Sequence, residues 1–299
     1  MSTAGPVATG RLDESESADI ARLCRLALGP DSPDEADLHQ ALFAVANPDD
    51  PVAVVRGDPS VGVVASVMRR GEGHIRLLAV HPDHRRSGIG STLLGAAEAD
   101  LSGSSHVSVG ADAPDYLFPG VATHLTEMLC LMEAAGYRRT ETHLNMSVDL
   151  GRLPSDPGGA MLATEAEADE IRSWADQHWA WWADEVMRAL AKERLLISRD
   201  ADGISGFCAW DVNRAGWLGP VAVRPSAMGG RIGVPLLLGA LNRMKADGRT
   251  HAEIAWISPV RFYVRTVAAH ISTAFIVHRR RIVPKETGSG ETGSGEAAG

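Results

Sequence analysis

Cysteine is scarce in this chain: three in 299 residues, too few and too scattered for a disulfide framework. Cys24, Cys130 and Cys208 each sit among apolar residues of an expected helix or strand, so they read as buried thiols in a reducing compartment. Basic clusters are also missing. The formal charge is −9, and apart from Arg279 to Arg281, which reads as the cap of a last strand, no run of Lys and Arg is present to neutralise phosphates. A nucleic-acid partner is thereby excluded. No apolar run approaches the roughly 20 residues of a bilayer span. Met1 to Gly10 has neither the basic start nor the apolar core of an export signal. The expectation is a soluble, cytoplasmic protein with no membrane partner. The 11 histidines form no H-x-H or H-x-x-x-H pair, so no metal is expected.

What is present is 44% hydrophobic residues and length enough for two domains. One stretch stands out. From Leu77 to Leu94 the chain reads as an apolar strand, a Val-His-Pro turn and a helix opened by glycines. At the first turn of a helix the N–H groups have no intrahelical partner and the dipole presents positive charge, so an anion placed there is held by the main chain. Arg85 or Arg86 adds charge, the amides of Arg86, Ser87, Gly88, Ile89 and Gly90 donate, and the two glycines leave room for the approach.

A second stretch repeats the first. Val80 matches Val223, Pro82 matches Pro225, Ile89 matches Ile232, Gly90 matches Gly233, and Leu93-Leu94 matches Leu236-Leu237, always 143 residues apart. A register sustained through strand, turn and helix marks a tandem duplication. The expected division is 1–150, a Pro/Gly linker at 151–159, a second unit at 160–284 and a disordered Gly/Ser/Glu/Thr tail at 285–299. Helices are expected at 18–28, 35–45 and 123–135. Strands are expected at 52–56, 62–68 and 107–110, with two closing strands at 137–140 and 143–149. The second half follows the same order from Ala160 to Val283. The fold class is α+β: two tandem units, each a mixed, mostly antiparallel twisted sheet flanked by helices.

The pattern R-x-x-G-x-G from Arg85 to Gly90, directly after a strand ending Val-His-Pro, resembles the pyrophosphate loop of the GNAT superfamily of N-acetyltransferases. The order of elements in both halves is similar to a GNAT domain. The resemblance implies acetyl-CoA as cosubstrate, lying between two splayed strands, with an amine attacking its thioester. It implies cofactor contacts from Leu78, Ala79, Val80, Arg85, Arg86, Ser87, Gly88, Ile89, Gly90 and Ser91, and in the second half from Val221, Val223, Gly230, Ile232 and Gly233. It also implies a tyrosine acid on the helix after the fifth strand.

Cradle and acid fall in different halves. The first half has Met132 where that tyrosine belongs, leaving Tyr116 in a Pro-Gly loop as its candidate acid. The second half has Phe262-Tyr263, but Met228 and Arg231 replace the first arginine and first glycine of the cradle. Either the loop at Gly229-Gly230 takes a shifted path that still faces a phosphate, or the Arg231 side chain fills the groove. Candidate bases are Glu253, the one carboxylate on the strand after the second motif helix, and Glu72 or His74 in the first half. His81 and His84 read as turn geometry. Trp174 and Trp181 are expected in the core, with Trp179 or Trp182 as candidate pocket walls and Asp176, Asp184 or Glu185 to meet a cation. The leading expectation is an N-acyltransferase acting on a small-molecule amine, the first half binding acetyl-CoA better. The alternatives are a tandem enzyme active in its second half, similar in layout to mycothiol synthase, and a non-catalytic acyl-CoA sensor. The expected state is a monomer or homodimer.

Overall fold

The computed structural model describes residues 9–44 and 51–282. Val45, Val283 and the tail at 285–299 lie outside the described residues. The first half runs β1 (Arg11–Leu12), α1 (Ser17–Leu28), α2 (Glu35–Leu42), β2 (Val54–Asp58), β3 (Gly62–Arg69), β4 (Glu72–Val80), α3 (Ile89–Asp100), β5 (His106–Val109), a short β6 (Val121–Ala122), α4 (Thr126–Ala134) and β7 (Arg138–Asp149). The second half repeats this order with β8 (Met161–Leu162), α5 (Ala168–Trp179), α6 (Ala183–Ala191), β9 (Leu195–Asp200), β10 (Gly203–Trp210), β11 (Trp217–Val223), α7 (Gly233–Ala246), β12 (His251–Ile257), α8 (Val260–Val267) and β13 (His270–Arg281). The repeat extends to the chemistry that starts the helices. A capping box of Asp13 with Glu16 precedes α1, and one of Thr164 with Glu167 precedes α5.

The strands form one 13-stranded sheet in the order β1-β2-β3-β4-β5-β13-β7-β12-β11-β10-β9-β8, with β6 attached to β13. Among the described residues only β4–β5 and β11–β12 pair in parallel, so the sheet is mixed and mostly antiparallel, as expected. Its centre is exchanged. β13, from the second half, pairs with β5 and β7 of the first, while β7 passes on to pair with β12. Met146, Val148 and Leu150 accordingly sit in the apolar core beneath α7, and Ile282 packs into the core beneath α3. Each half thus has its last strand in the other half's sheet.

Four apolar clusters line the two faces, two for each half. One lies under α1 and α2, one under α3 and α4, one under α5 and α6, and one under α7 and α8. The expected pair of closing strands at 137–140 and 143–149 is instead one continuous strand, β7. The polar Glu141-Thr142 looks like a turn in sequence. Pairing with β13 through this stretch keeps it extended, with one irregularity near residue 140.

Two expectations about burial are corrected. Cys24 and Cys208 are buried, but Cys130 is exposed. Trp174 is in the core, whereas Trp181 is 64% exposed, because the helix breaks at Trp179 into a 3-10 turn at Ala180–Trp182 before α6 begins. Helical spacing does not carry through that break. No helix among the described residues is long and apolar enough to cross a membrane.

Candidate functional site

In each half the parallel central pair holds for only a few residues and then opens. β4 and β5 are in register at Gly73–Val107, His74–Ser108 and Ile75–Val109, after which β4 continues to Val80 paired with β3 but not with β5. β11 and β12 are in register only at Trp217–Glu253 and Leu218–Ile254. Each gap leads to a cavity, and the two cavities differ.

In the first half a groove of about 640 Å³ runs between the end of β4, the α3 turn and α4. Leu78, Ala79, Val80, Arg85, Arg86, Gly88, Gly90 and Ser91 all line it. Gly88 is the N-cap of α3 at φ +87, a conformation that favours glycine, and a Cβ there would point into open space. A Cβ on Gly90 would stand 3.0 Å from Leu131 Cδ2, so this glycine lets α4 approach α3. Arg85 donates from Nη2 to Ala27 O at 2.8 Å, tying the end of α1 to the groove. Ile89 is buried in the core and Ser87 donates to His84 O, so these two lend the loop their backbone rather than their side chains. His81 Nδ1 accepts from Asp83 N–H, as its turn reading implied. The exposed Cys130 lies on the groove's far wall.

The second-half loop follows the same backbone path. A 3-10 turn at Pro225–Ala227 answers one at Pro82–His84. Left-handed positions fall at Gly229 and Arg231 where the first half has Arg86 and Gly88. Of the two expected arrangements the shifted path is therefore absent. The residue types are interchanged on one backbone, and Arg231 holds φ +60 where its counterpart is glycine. Such a conformation costs an L-residue about 1 kcal/mol. Arg231→Gly is expected to raise stability by about that amount, read as a higher midpoint in urea unfolding. A lower midpoint would mean that the side chain's contacts outweigh the strain. Arg231 lines a groove of about 940 Å³ between α7 and α8, with Arg261, Phe262 and Arg265 opposite and the linker residues Pro154, Ser155, Pro157 and Gly158 along its edge. Gly233 faces the Phe262 ring, while Val223 and Ile232 pack on the core.

Beyond the second gap lies a chamber of about 780 Å³. β11 contributes Leu218 to Val221, β12 contributes Ala255 to Ile257, and α8 contributes Tyr263. Trp181, Trp182 and Glu185 come from the broken helix, and Tyr116, His143 and Leu144 from the first half. Trp256 sits at φ +49 in a bulge of β12, held by its N–H to the buried Asn145 Oδ1 at 2.8 Å. That kink turns the indole onto Tyr116, edge to face at 5.0 Å, and within 4.7 Å of His143.

Glu185 is 2% exposed. Its Oε1 accepts from Asn213 Nδ2 at 2.7 Å, and Asn213 Oδ1 accepts from Arg188 Nη1 at 2.7 Å. Burial pushes the Glu185 carboxyl up to about 8, against the pull of Arg188 and Asn213. Burial likewise raises the Tyr116 and Tyr263 phenols and lowers the His143 imidazole. Both phenols keep their protons and the imidazole is neutral at pH 7.

Among the described residues the first gap opens onto no such chamber. Position 76, 143 residues before Gly219, carries Arg76; by strand pairing, with Ser108 beside His74 as Glu253 is beside Trp217, the counterpart of Trp256 is Ala111 at φ +56. Arg76 is buried and donates from Nε to Asp112 Oδ2 at 2.7 Å. The loop after Ala111 folds back so that Gly110 and Gly120 meet backbone to backbone. Only about 40 Å³ remains among Ile75 to Leu78, Val109, Phe118 and Gly120 to Ala122.

Tyr116, read as the first half's acid, is thus carried by its loop into the second half's chamber. Tyr263 and Val221 are there too. Glu253 is not among the lining residues: its carboxylate accepts from Ser272 Oγ on β13, across the intervening β7. Glu72 pairs with Arg279 at 2.6 Å, and Gly230 is an exposed loop residue. Asp176 and Asp184 both bind Arg172, leaving Glu185 as the chamber's carboxylate. Trp256 and His143 went unnoticed in sequence because a bulge and an exchanged strand bring them in. Among the described residues no group of three His, Cys, Asp or Glu side chains is placed to hold a metal ion.

Residues 17–112 match the acetyltransferase (GNAT) family model. No curated protein matches the chain. Among solved structures it is similar to a GCN5-related N-acetyltransferase from Sphaerobacter thermophilus, at 19% identity over 95% of this chain and 98% of that one, with a TM-score of 0.70. It is also similar to a tandem GNAT protein from the clavulanic acid biosynthesis pathway, at 16% identity, 94% and 100% coverage and a TM-score of 0.67. A third is the glucosamine N-acetyltransferase region of a fungal multi-domain GH3 β-N-acetylglucosaminidase, at 15% identity and a TM-score of 0.73, where 93% of this chain spans 38% of that one. At these identities the structural likenesses define the fold. The family match itself lies in the first half, over residues 17–112, and the structural likenesses extend the fold across the whole chain.

Proposed function

We propose that the protein transfers an acetyl or short acyl group from acyl-CoA to a small-molecule amine, and that the reaction takes place in the second half's chamber. The observation that carries this reading is the contrast between the two gaps: about 780 Å³ lined by Tyr263, Glu185 and aromatic rings against about 40 Å³ beside an ion-paired arginine. The thioester, when bound, supplies an activated acyl carbon. The amine nitrogen forms the new bond to that carbon, the carbon–sulfur bond breaks, and the sulfur leaves with a proton. Glu185 takes the proton released by the amine, and Tyr263, protonated throughout, faces the departing sulfur as donor. Arg231, Arg261 and Arg265 line a groove suited to the phosphates of the same CoA. The first half's glycine cradle fits a second CoA, held without turnover because no acceptor space adjoins it. This reading divides the chain into a cofactor-holding unit ahead of the 151–159 linker and a reacting unit after it, joined by the exchanged strands.

Native mass spectrometry with acetyl-CoA tests it. Two equivalents are expected, falling to one in Gly88→Arg, with amine acetylation retained. The second half already accommodates Arg231 at the matching position, so the variant should fold. Tyr263→Phe is expected to lower kcat 10- to 100-fold. Turnover lost in Gly88→Arg and unchanged in Tyr263→Phe would move the reaction to the first half.

A further inference from the structure

Aromatic residues make up 5% of the chain, with 7 Trp, 3 Tyr and 5 Phe. Three of the tryptophans and two of the tyrosines line the one chamber. An acetyl group fills a small part of 780 Å³; the rest is of the size that holds a whole small-molecule ligand. Its walls are chemically biased. Among the described residues no lysine or arginine lines it, and its one carboxyl group is Glu185. Trp181 and Trp182 stand with ring centroids 5.8 Å apart, Trp181 at the exposed end. Trp256 and Tyr116 close the opposite side.

We propose that the acceptor is a singly charged amine on a flat apolar body, its ammonium at Glu185 and its body against Trp181, Trp182 and Trp256. This rests on the chamber being the acceptor site. Aromatic faces attract a cation and stack on a flat body, whereas a polyamine or an aminoglycoside would bring further charges into a wall with nothing to pair them. An anion would face the same π surfaces and no cationic side chain.

The groups facing Glu185 are Asn213 and Arg188 within its own hydrogen-bonded cluster, Asp115 and Tyr116 from the first half's loop, and Asp184 one residue before it. Asp115 is itself paired with Arg188 and Arg69. The arginine charge is therefore shared, and an arriving ammonium finds a carboxyl group able to ionise beside it. Binding releases a proton at pH 7 as the carboxyl group gives way to carboxylate.

Calorimetric titration of the full chain without acyl-CoA, using 2-phenylethylamine, 2-phenylethanol, 3-phenylpropanoate and spermidine in two buffers of different ionisation enthalpy, tests this. The amine is expected to bind at least tenfold tighter than the other three, with net proton release. Glu185→Gln should abolish the release and weaken the amine tenfold. Trp181→Ala, at an exposed position, should weaken it without moving the melting temperature. Equal binding of the alcohol, tighter binding of spermidine or of the anion, or proton release intact in Glu185→Gln would overturn the assignment. If the amine binds as expected but is not acetylated when acetyl-CoA is added, the ligand class stands and the acyl-transfer reading falls. If amines are acetylated with no preference for the aromatic monocation, the reverse holds.

Discussion

Glu185→Gln is expected to lower kcat/KM for amine acetylation on the order of 10²-fold or more, and to flatten its dependence on pH. The wild-type carboxyl group, pushed up to about 8 by burial, carries its proton over most of the neutral range and is a base only in the remaining fraction. kcat/KM reports the free enzyme, so the wild-type profile should climb with pH below about 8 and level above it. Glutamine keeps the hydrogen bond from Asn213 in shape but has no site for the proton, so the limb should vanish. An unchanged limb in Glu185→Gln would assign the titration to the amine itself and remove Glu185 from the base role.

The same group makes a separate prediction for stability, with a definite sign. The Glu185 carboxyl group has an ordinary value of 4.5 when solvated and is pushed up to about 8 in the fold. Between those values the folded state binds more protons than the unfolded state, so stability falls as pH rises from about 4.5 to about 8 and is flat beyond. The loss is a few kcal/mol at most. Glu185→Gln is free of it, so the variant should exceed wild type in urea midpoint at pH 9, the gap closing by pH 5. A buried carboxyl group that lowers stability where the enzyme is most active is what a functional base predicts.

Much of this fold was legible because periodicity and repetition are local signals. The 143-residue register from Val80 to Leu94 placed both strand–turn–helix units, with Gly88 at a left-handed helix N-cap and Gly90 where α4 approaches α3. What was not legible depends on pairing between distant strands. Nothing near Tyr116 says that its loop crosses into the other half. Nothing near Trp256 says that a left-handed bulge, held by an asparagine of the exchanged strand, turns the indole into a chamber. The Trp181 expectation failed for a related reason: 3.6-residue spacing has meaning only while the helix lasts, and this one breaks at Trp179. Glu253 was chosen by its strand. Its register opposite Ser147 and Trp217 lies before the gap opens, so its carboxylate pairs with Ser272 instead.

Asp112→Ala is expected to destabilise the protein by about 3–5 kcal/mol, because it strands a buried guanidinium. Arg76 and Asp112 are 2% and 1% exposed at their side chains, and Asp112 also accepts from Arg69 Nε at 3.2 Å. Removing the carboxylate leaves Arg76 with Ala41 O, and with Asp115 at 3.7 Å, as partners. Arg76→Met with Asp112→Leu, which removes both charges and keeps apolar volume, should recover most of the loss, since two uncharged side chains incur no desolvation penalty. A double-mutant cycle in urea makes the comparison, and single variants that cost as little as the double would mean that the pair is screened. The consequence reaches past stability. The pair anchors the loop from Ala111 to Gly120, and that loop carries Asp115 to Arg188 and Tyr116 into the chamber. Well below its melting temperature, Asp112→Ala should therefore lower acetylation while leaving the acetyl-CoA stoichiometry intact, because Gly88, Gly90 and Arg85 do not touch the loop's ion pairs. The arginine that closes the first gap would then also be the anchor that completes the second.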